Sequence, residues 1–483
     1  MARNHRAVVA AVSLMLVLVA CSSNGTPEAV DTPSAVAPAP AGSDAPAAPG
    51  KGSVKPGGSL VDPTVPSAPG GGKASPLPPV KPATGFKPAN LYTAAEDRIG
   101  ITDDKIVVCI HAALNLAPVF NISQKSLNVY WELVNRQLSG IYGRQVEVTW
   151  TDDKYGAQPS DVRAAYEGCK AKNPFMILGG IGFDQIPQVR AWAEEDHQLY
   201  IHHIAREDKT KKYSFSYLPT VETVGTRAAQ WILHAHKGEN VGVIWRNSEH
   251  WEPGHKTFKA ELARHGVEAV ADTPAEKNAS LYTTQIRALQ NADAEVVFIW
   301  ENALSAIEII RQAQDQNYTP TWVVFPFDLM TDTLGEDTVD PIPVEGIAAW
   351  MPYLPGVQNA VTKEYQPGKV DGSFAKYKKL IQTFEAHHNE YASGENRDDI
   401  VAMTWTGFAQ LHKLLLQCGK DCTRNKMVGL LHSGLHTAIA PGCPINFGSN
   451  GHVGSDSVMI FKAFRNTDGK YGWKEIERCK TGF

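Results

Sequence analysis

The sequence is poor in what a membrane body, a nucleic-acid binder or a common hydrolase would need. Beyond residue 21 no run reaches the ~18 uninterrupted apolar residues of a spanning helix, which argues against an integral membrane body. Basic residues are not clustered: 46 Lys and Arg stand against 51 Asp and Glu, a net charge of −5, so nucleic acid is not an expected partner. No G-x-S-x-G, H-E-x-x-H or P-loop phrase occurs. Gly180-Ile181-Gly182 begins like a dinucleotide loop, but Gln185 stands where the third glycine would be. The histidine groups, His202-His203, His250 with His255, and His387-His388, offer no third close partner for a metal. Neighbouring histidines in a strand also point to opposite faces. Cysteine is scarce, and Cys418-x-x-x-Cys422 has no second ligand pair at finger-like spacing. Neither an enzyme nor a metal or other cofactor is expected.

What is present starts with an export signal. Arg3, His5 and Arg6 precede an apolar run over 7–19, and Ala20-Cys21 follows, the order of a secretory signal peptide. Leu18-Val19-Ala20-Cys21 resembles a bacterial lipobox, in which Cys21 is lipidated and becomes the first residue of the mature chain. Residues 22–98 are then rich in Pro, Ala, Gly and Ser, too poor in apolar surface to fold. This stretch reads as a tether of roughly 45–50 Å reach. The expectation is an extracytoplasmic protein, lipid-anchored to the outer face of a cell membrane.

The remaining residues, about 390, are too many for one core and suit two lobes. Six cysteines are left after Cys21: Cys109, Cys169, Cys418, Cys422, Cys443 and Cys479. An even number in an exported chain points to disulfides, with 15 pairings open. Chain order suggests Cys109–Cys169, Cys418–Cys422 and Cys443–Cys479.

Apolar patterning alternates strand and helix. Strands are expected over 105–110, 145–150, 175–178, 199–201 and 213–217, then over 241–245, 267–271, 295–300 and 322–325. Helices fall between them, one with Leu127, Tyr130, Trp131, Val134 and Leu138 on one face. Another is expected to start at Asp184, and a third to be capped by Ser280. Twice-repeated alternation means an α/β chain with two doubly wound parallel-sheet lobes. After residue 340 the pattern changes to an extended piece over 346–350, long helices over 374–391 and 399–417, a short helix from Thr423, and a β-rich tail with a turn at Asp468-Gly469.

Carboxyl ends of parallel strands collect ligand. The segments there are 111–115, 180–184, 202–206, 246–251, 300–302 and 327–328, a mixture of aromatic and polar residues expected of small-molecule pockets. From these we take Asn115, Gly182, Phe183, His203, Arg206, Arg246, Trp251 and Trp300 as candidate ligand contacts. The glycines admit backbone close to a ligand, and Arg206 or Arg246 could meet a carboxylate.

Several phrases, in this order, resemble the leucine/isoleucine/valine-binding family of type I periplasmic binding proteins. They are Ile101-Thr102-Asp103-Asp104-Lys105-Ile106; Phe258 and Leu262 before Gly266; Leu281-Tyr282-Thr283-Thr284-Gln285-Ile286; Val344-Glu345-Gly346-Ile347; and Ile445-Asn446-Phe447 with Asn450-Gly451-His452. The resemblance spans about 100–475. It implies two lobes joined by three hinge crossings, near 217–220, 348–352 and 438–443. Lobe 1 would then hold 99–218 and 351–438, and lobe 2 would hold 219–350 and 439–483. It also implies that Glu345 holds a ligand ammonium, the alternative being a solvated turn residue. Trp251 stands where the family has a cleft tyrosine. One departure is that Gly182-Phe183-Asp184 supplies none of the hydroxyls that grip an amino-acid carboxylate. The function implied is capture of a small amphipathic molecule, an amino acid or related compound, between the lobes for an ABC importer, with a membrane permease as partner. The alternative is a surface sensor or receptor on the same fold without transport. A permease and ATPase encoded next door would favour transport, a histidine kinase or cyclase sensing.

Overall fold

The computed structural model describes residues 90–114, 124–156, 158–179, 184–202, 210–277, 279–326, 343–348, 398–432, 443, 447, 452–465 and 471–483. Five strands, β1 (Lys105–Ala112), β2 (Gln145–Asp152), β3 (Met176–Gly179), β4 (Tyr200–His202) and β5 (Ser214–Ser216), form one sheet in the order β2-β1-β3-β4-β5. Every pairing in it is parallel. The central strands β1 and β3 are short apolar runs because both of their faces are covered. On one face lie Cys109, Ile177 and Tyr200. They pack on Val162 and Tyr166 of helix α2 (Pro159–Lys170) and on Ile186 and Val189 of helix α3 (Ile186–Glu195). The other face meets helix α1 (Gln124–Gln137) and, from far along the chain, helices α8 (Asp398–Cys418) and α9 (Arg424–His432). Phe408 packs 5.6 Å from Trp131 between ring centroids. Arg424 donates to the carbonyls of Phe175 and Pro174.

The second sheet has seven strands: β6 (Val241–Asn247), β7 (Ala271–Glu276), β8 (Val296–Trp300), β9 (Thr321–Phe325), β10 (Val344–Ala348), β11 (Val458–Arg465) and β12 (Tyr471–Lys480). Their order is β12-β11-β10-β9-β8-β6-β7. The strands from β6 to β10 pair in parallel, while β11 and β12 add an antiparallel ribbon at one edge. Helices α4 (Val221–Ala235), α5 (Glu252–Arg264), α6 (Thr283–Asn291) and α7 (Ala303–Asp315) lie between the strands in sequence. Phe258 of α5 stacks on Phe298 of β8. A Cβ on Gly242 would meet Leu289 of α6 and Val297. Since Val297 and Phe298 alternate across the strand, α5 and α6 cover opposite faces. The expected fold class, two doubly wound parallel-dominated sheets, is what the chain adopts. Among the described residues, two helices start on side-chain caps, with Thr220 accepting from the Thr223 amide and Asn302 from the Ser305 amide.

The chain passes from one sheet to the other between β5 and α4, and a second segment runs beside that crossing. The Ser216 amide donates to the His452 carbonyl at 2.8 Å, and the Gly454 amide donates to the Ser216 carbonyl at 2.7 Å. Val453 thus pairs in parallel with Ser216 before the chain enters β11.

All three disulfides follow chain order: Cys109–Cys169, Cys418–Cys422 and Cys443–Cys479. Four local expectations are corrected. The strand expected over 267–271 is Ala271–Glu276. Extended structure near 346 is Val344–Ala348. Helix α6 begins after Tyr282 with no side-chain cap, so Ser280 does not cap it. Helix α3 begins after Gln185, and Asp184 has a different partner. The helix expected over 374–391 and the turn at Asp468-Gly469 lie outside the described residues.

Candidate functional site

The carboxyl ends of the two sheets meet. Arg246, near the end of β6, carries its guanidinium to Asp184, which precedes α3 and belongs to the loop after β3. Its Nη2 lies 2.7 Å from Asp184 Oδ2. Its Nη1 lies 3.4 Å from both oxygens of Glu301, just past β8. The Trp251 Nε1 donates to Asp184 Oδ1 at 3.3 Å, and the Lys277 Nζ stands 4.0 Å from Oδ2. One carboxylate of the first lobe is therefore surrounded by donors of the second.

The position of Trp251 is set by glycines. A Cβ on Gly225 of α4 would lie 2.0 Å from the Gly254 carbonyl, and one on Gly254 would strike Trp300 at 2.3 Å. Only glycine lets α4, α5 and β8 approach this closely. Trp300 can then donate its Nε1 to the Trp251 carbonyl at 2.6 Å, with the two rings edge to face at 4.8 Å. Both rings are fully buried. Trp251 touches the cluster through its indole N–H, and Trp300 is the floor beneath it.

Burial dominates the electrostatics. Arg246 is 2% exposed and Glu301 fully buried. Burial opposes the Arg246 charge, but Glu301 and Asp184 outweigh it and hold the guanidinium pKa above its ordinary value. Burial pushes the Glu301 carboxyl up to about 7, against the pull of Arg246. The Tyr155 phenol is raised by burial and then by the Asp184 charge, so it remains neutral. Because Glu301 has a raised folded-state pKa, the stability it contributes is complete below about 4.5 and is lost as pH rises through about 7. Relative to Glu301→Gln, the parent protein is expected to lose up to about 3 kcal/mol of stability between pH 4.5 and 7.5. Urea denaturation at several pH values measures this; a constant gap would mean that Glu301 titrates normally.

On the first lobe a polar strut braces the strand ends. Asp153, directly after β2, is fully buried. It bonds His111 Nδ1 at 2.8 Å, Gln185 Nε2 at 3.1 Å and the Tyr155 amide at 2.9 Å. The other ring nitrogen of His111, Nε2, meets the Tyr200 hydroxyl at 2.8 Å. Lys154 and Tyr155 both adopt left-handed φ, 49° and 59°, a conformation that costs of order 1–3 kcal/mol for a non-glycine residue. The Asp152 and Asp153 carboxylates, accepting from the amides of Lys154 and Tyr155, hold that turn.

Of the residues singled out in the sequence, the structure brings Arg246 and Trp251 together and sets Trp300 below them. Asn115, Gly182, Phe183, His203, Arg206 and Cys21 lie outside the described residues. Glu345 is placed elsewhere. It is buried in β10 and accepts from Trp231 Nε1 at 2.8 Å, His236 Nε2 at 3.0 Å and Lys462 Nζ at 3.1 Å. His236 sits about three helical turns along α4 from Gly225, away from the Arg246 cluster. Burial alone would raise the Glu345 pKa, but the bonds from His236 and Trp231 outweigh it and keep the carboxylate charged. Both Glu345 oxygens are thus engaged by the protein's own donors, the Lys462 ammonium among them, and the residue is not a solvated turn residue. Asp184, Glu301, Asp153 and Tyr155 were not selected from the sequence. Two of them, Asp184 and Glu301, fall inside the strand-end segments, and the Asp152-Asp153 doublet at the end of a strand was a readable signal. Among the described residues, no three His, Cys, Asp or Glu side chains converge to hold a metal ion, and no helix is long and apolar enough to cross a membrane.

A family model described as "Periplasmic binding protein" matches residues 116–470. Among solved structures, the chain is similar to the fatty acid ABC transporter substrate-binding protein from Thermomonospora curvata. Identity is 16% and the TM-score 0.54, over 80% of this chain and 94% of that one. It is also similar to the solute-binding protein of an ABC transporter from R. palustris in complex with benzoate, at 14% identity and TM-score 0.56, over 77% and 96%. A third is the branched-chain amino acid transporter substrate-binding protein from Streptococcus pneumoniae with isoleucine, at 13% identity and TM-score 0.57, over 77% and 99%. At these identities the likeness is one of fold. Comparison with curated proteins finds no match.

Proposed function

The chain belongs to the periplasmic binding protein family, and from that premise we propose that it is an extracytoplasmic, lipid-anchored solute receptor of an ABC importer. The observation that carries this reading is the Asp184–Arg246 contact between the carboxyl ends of two sheets. A solute bound there touches both lobes at once, and so favours the form in which they are closed. Binding and release need no covalent chemistry, and the partner is a permease that reads the closed form.

The solute is small and amphipathic, an amino acid or related compound. The R. palustris and S. pneumoniae structures hold benzoate and isoleucine, and the T. curvata protein is named for fatty acid. These three share a carboxylate on an apolar body. Arg246, braced by two carboxylates of its own, is the cation through which the cleft would sense such a head group, with Trp251 beside it. Asn115, Gly182, Phe183, His203 and Arg206 belong by sequence to loops at the same strand ends. Cys21 supplies the lipid anchor, and 22–98 the tether.

Native mass spectrometry of protein purified from its own envelope, with small-angle scattering, tests the proposal. A co-purified small molecule that is lost on unfolding, together with a smaller radius of gyration when it is bound, is the expected result. An empty protein whose radius does not respond to benzoate, isoleucine or a fatty acid would overturn it.

A further inference from the structure

Asp184 is held as a bound acid would be held. Its side chain is only 10% exposed. Among the described residues, every hydrogen-bond donor or cation that meets its carboxylate stands on the second lobe. Arg246 Nη2 at 2.7 Å and Lys277 Nζ at 4.0 Å face Oδ2, and Trp251 Nε1 at 3.3 Å faces Oδ1. Burying a carboxylate is unfavourable unless donors replace its water, and here the other lobe supplies them. Asp184 has no local task instead, since α3 begins after Gln185 without a side-chain cap.

The two buried donors are fixed without Asp184. Glu301 backs the Arg246 guanidinium, both of its oxygens 3.4 Å from Nη1. Trp300 Nε1 donates to the Trp251 carbonyl at 2.6 Å. Arg246, Glu301, Trp251 and Trp300 are all buried on the one lobe. That lobe therefore presents a preformed receptor for one carboxylate, with Lys277, 45% exposed, at its rim.

We propose that Asp184 is a tethered surrogate for a solute carboxylate: it occupies the receptor made by Arg246, Trp251 and Lys277, and a solute binds by taking its place. This rests on the reading that a solute is taken up between the lobes. A group tethered to the same chain acts at an effective concentration of millimolar or more. An acid that brings only a head group, such as formate, does not displace it at lower concentration. An acid with an apolar body adds contacts of its own and does. Asp184 thus sets selectivity for amphipathic acids over short ones.

Replacing Asp184 while supplying a free acid of the missing size tests this. Asp184→Ala removes a carboxylate that formate matches, and Asp184→Gly removes a piece that acetate matches. Thermal denaturation is followed in formate, acetate, neutral formamide and chloride at equal concentration. Formate at about tenfold its dissociation constant is expected to raise the Tm of Asp184→Ala by roughly 2–4 °C. Formamide, chloride and the parent protein should show no such shift, and adding Arg246→Met should abolish it. Asp184→Gly should respond more to acetate than to formate, which keeps the test open if the alanine variant folds poorly. Calorimetry should find benzoate bound about tenfold more tightly by Asp184→Ala than by the parent. The receptor is overturned if formate and chloride act alike on Asp184→Ala and acetate and chloride alike on Asp184→Gly, or if the response survives Arg246→Met. The exchange is overturned if removing Asp184 leaves benzoate affinity unchanged. Failure of benzoate, isoleucine and a fatty acid to bind either protein would overturn the solute reading, and the exchange with it, while the formate result still decides the receptor.

Discussion

Arg246→Met is expected to cost about 3–5 kcal/mol of stability, the range for removing one partner of a buried ion pair. Methionine fills much of the same length, so the loss comes from charge rather than from a void. Asp184 would keep Trp251 and the more distant Lys277, while Glu301 would keep only local donors such as the Asn302 amide. Glu301 already titrates near 7 in the presence of Arg246, and without it the carboxyl would be neutral at physiological pH. The destabilisation should therefore be smaller at pH 5 than at pH 8, and Arg246→Met with Glu301→Gln should recover part of it. Because the Asp184 bond joins the lobes, the single variant should also have a larger radius of gyration. A loss below about 1 kcal/mol, typical of exposed pairs, would mean that water reaches this contact in solution.

Replacing Cys109 and Cys169 together by alanine is expected to destabilise the protein by about 4 kcal/mol. The bridge joins β1 to α2 across a sequence separation of 60, with Cα atoms 5.5 Å apart and both residues fully buried. Constraint of the unfolded chain grows with loop length and gives roughly that figure for a loop of this size. The Cys418–Cys422 bridge spans a separation of only 4, and the same relation gives about 2 kcal/mol for it. Unfolding in denaturant, with peptide mapping to confirm the pairing, measures both. If the Cys109–Cys169 variant is as stable as the parent, residual structure in the unfolded chain already holds these segments together.

The strands that carry the fold were easy to read where both faces are buried, because burial selects runs such as Val296–Trp300 with no polar interruption. The strand Ala271–Glu276 was misplaced for the converse reason. It is the edge of its sheet, alternates buried with exposed residues and contains Pro274, which an edge strand tolerates. The candidate site was legible as a set of strand-end loops, and Arg246 and Trp251, which the structure brings to one cluster, could be picked from them. Its pairings were not. Asp184 looks like a helix cap in sequence, and only the meeting of two lobes shows it a guanidinium 62 positions away. The partners of Glu345 were hidden for the same reason, since Trp231, His236 and Lys462 come from 109 to 117 positions away. Nothing local in an EG dipeptide records which strand face a carboxylate occupies.

The paired crossing at Ser216 and Val453 has a mechanical consequence. Two extended segments laced side by side form a ribbon, and a ribbon is compliant to bending across its flat face but stiff to splay and shear within its plane. In the receptor we propose, a lobe carried on it would swing like a door on a broad leaf hinge, and the approach of Arg246 to Asp184 would be confined to one arc.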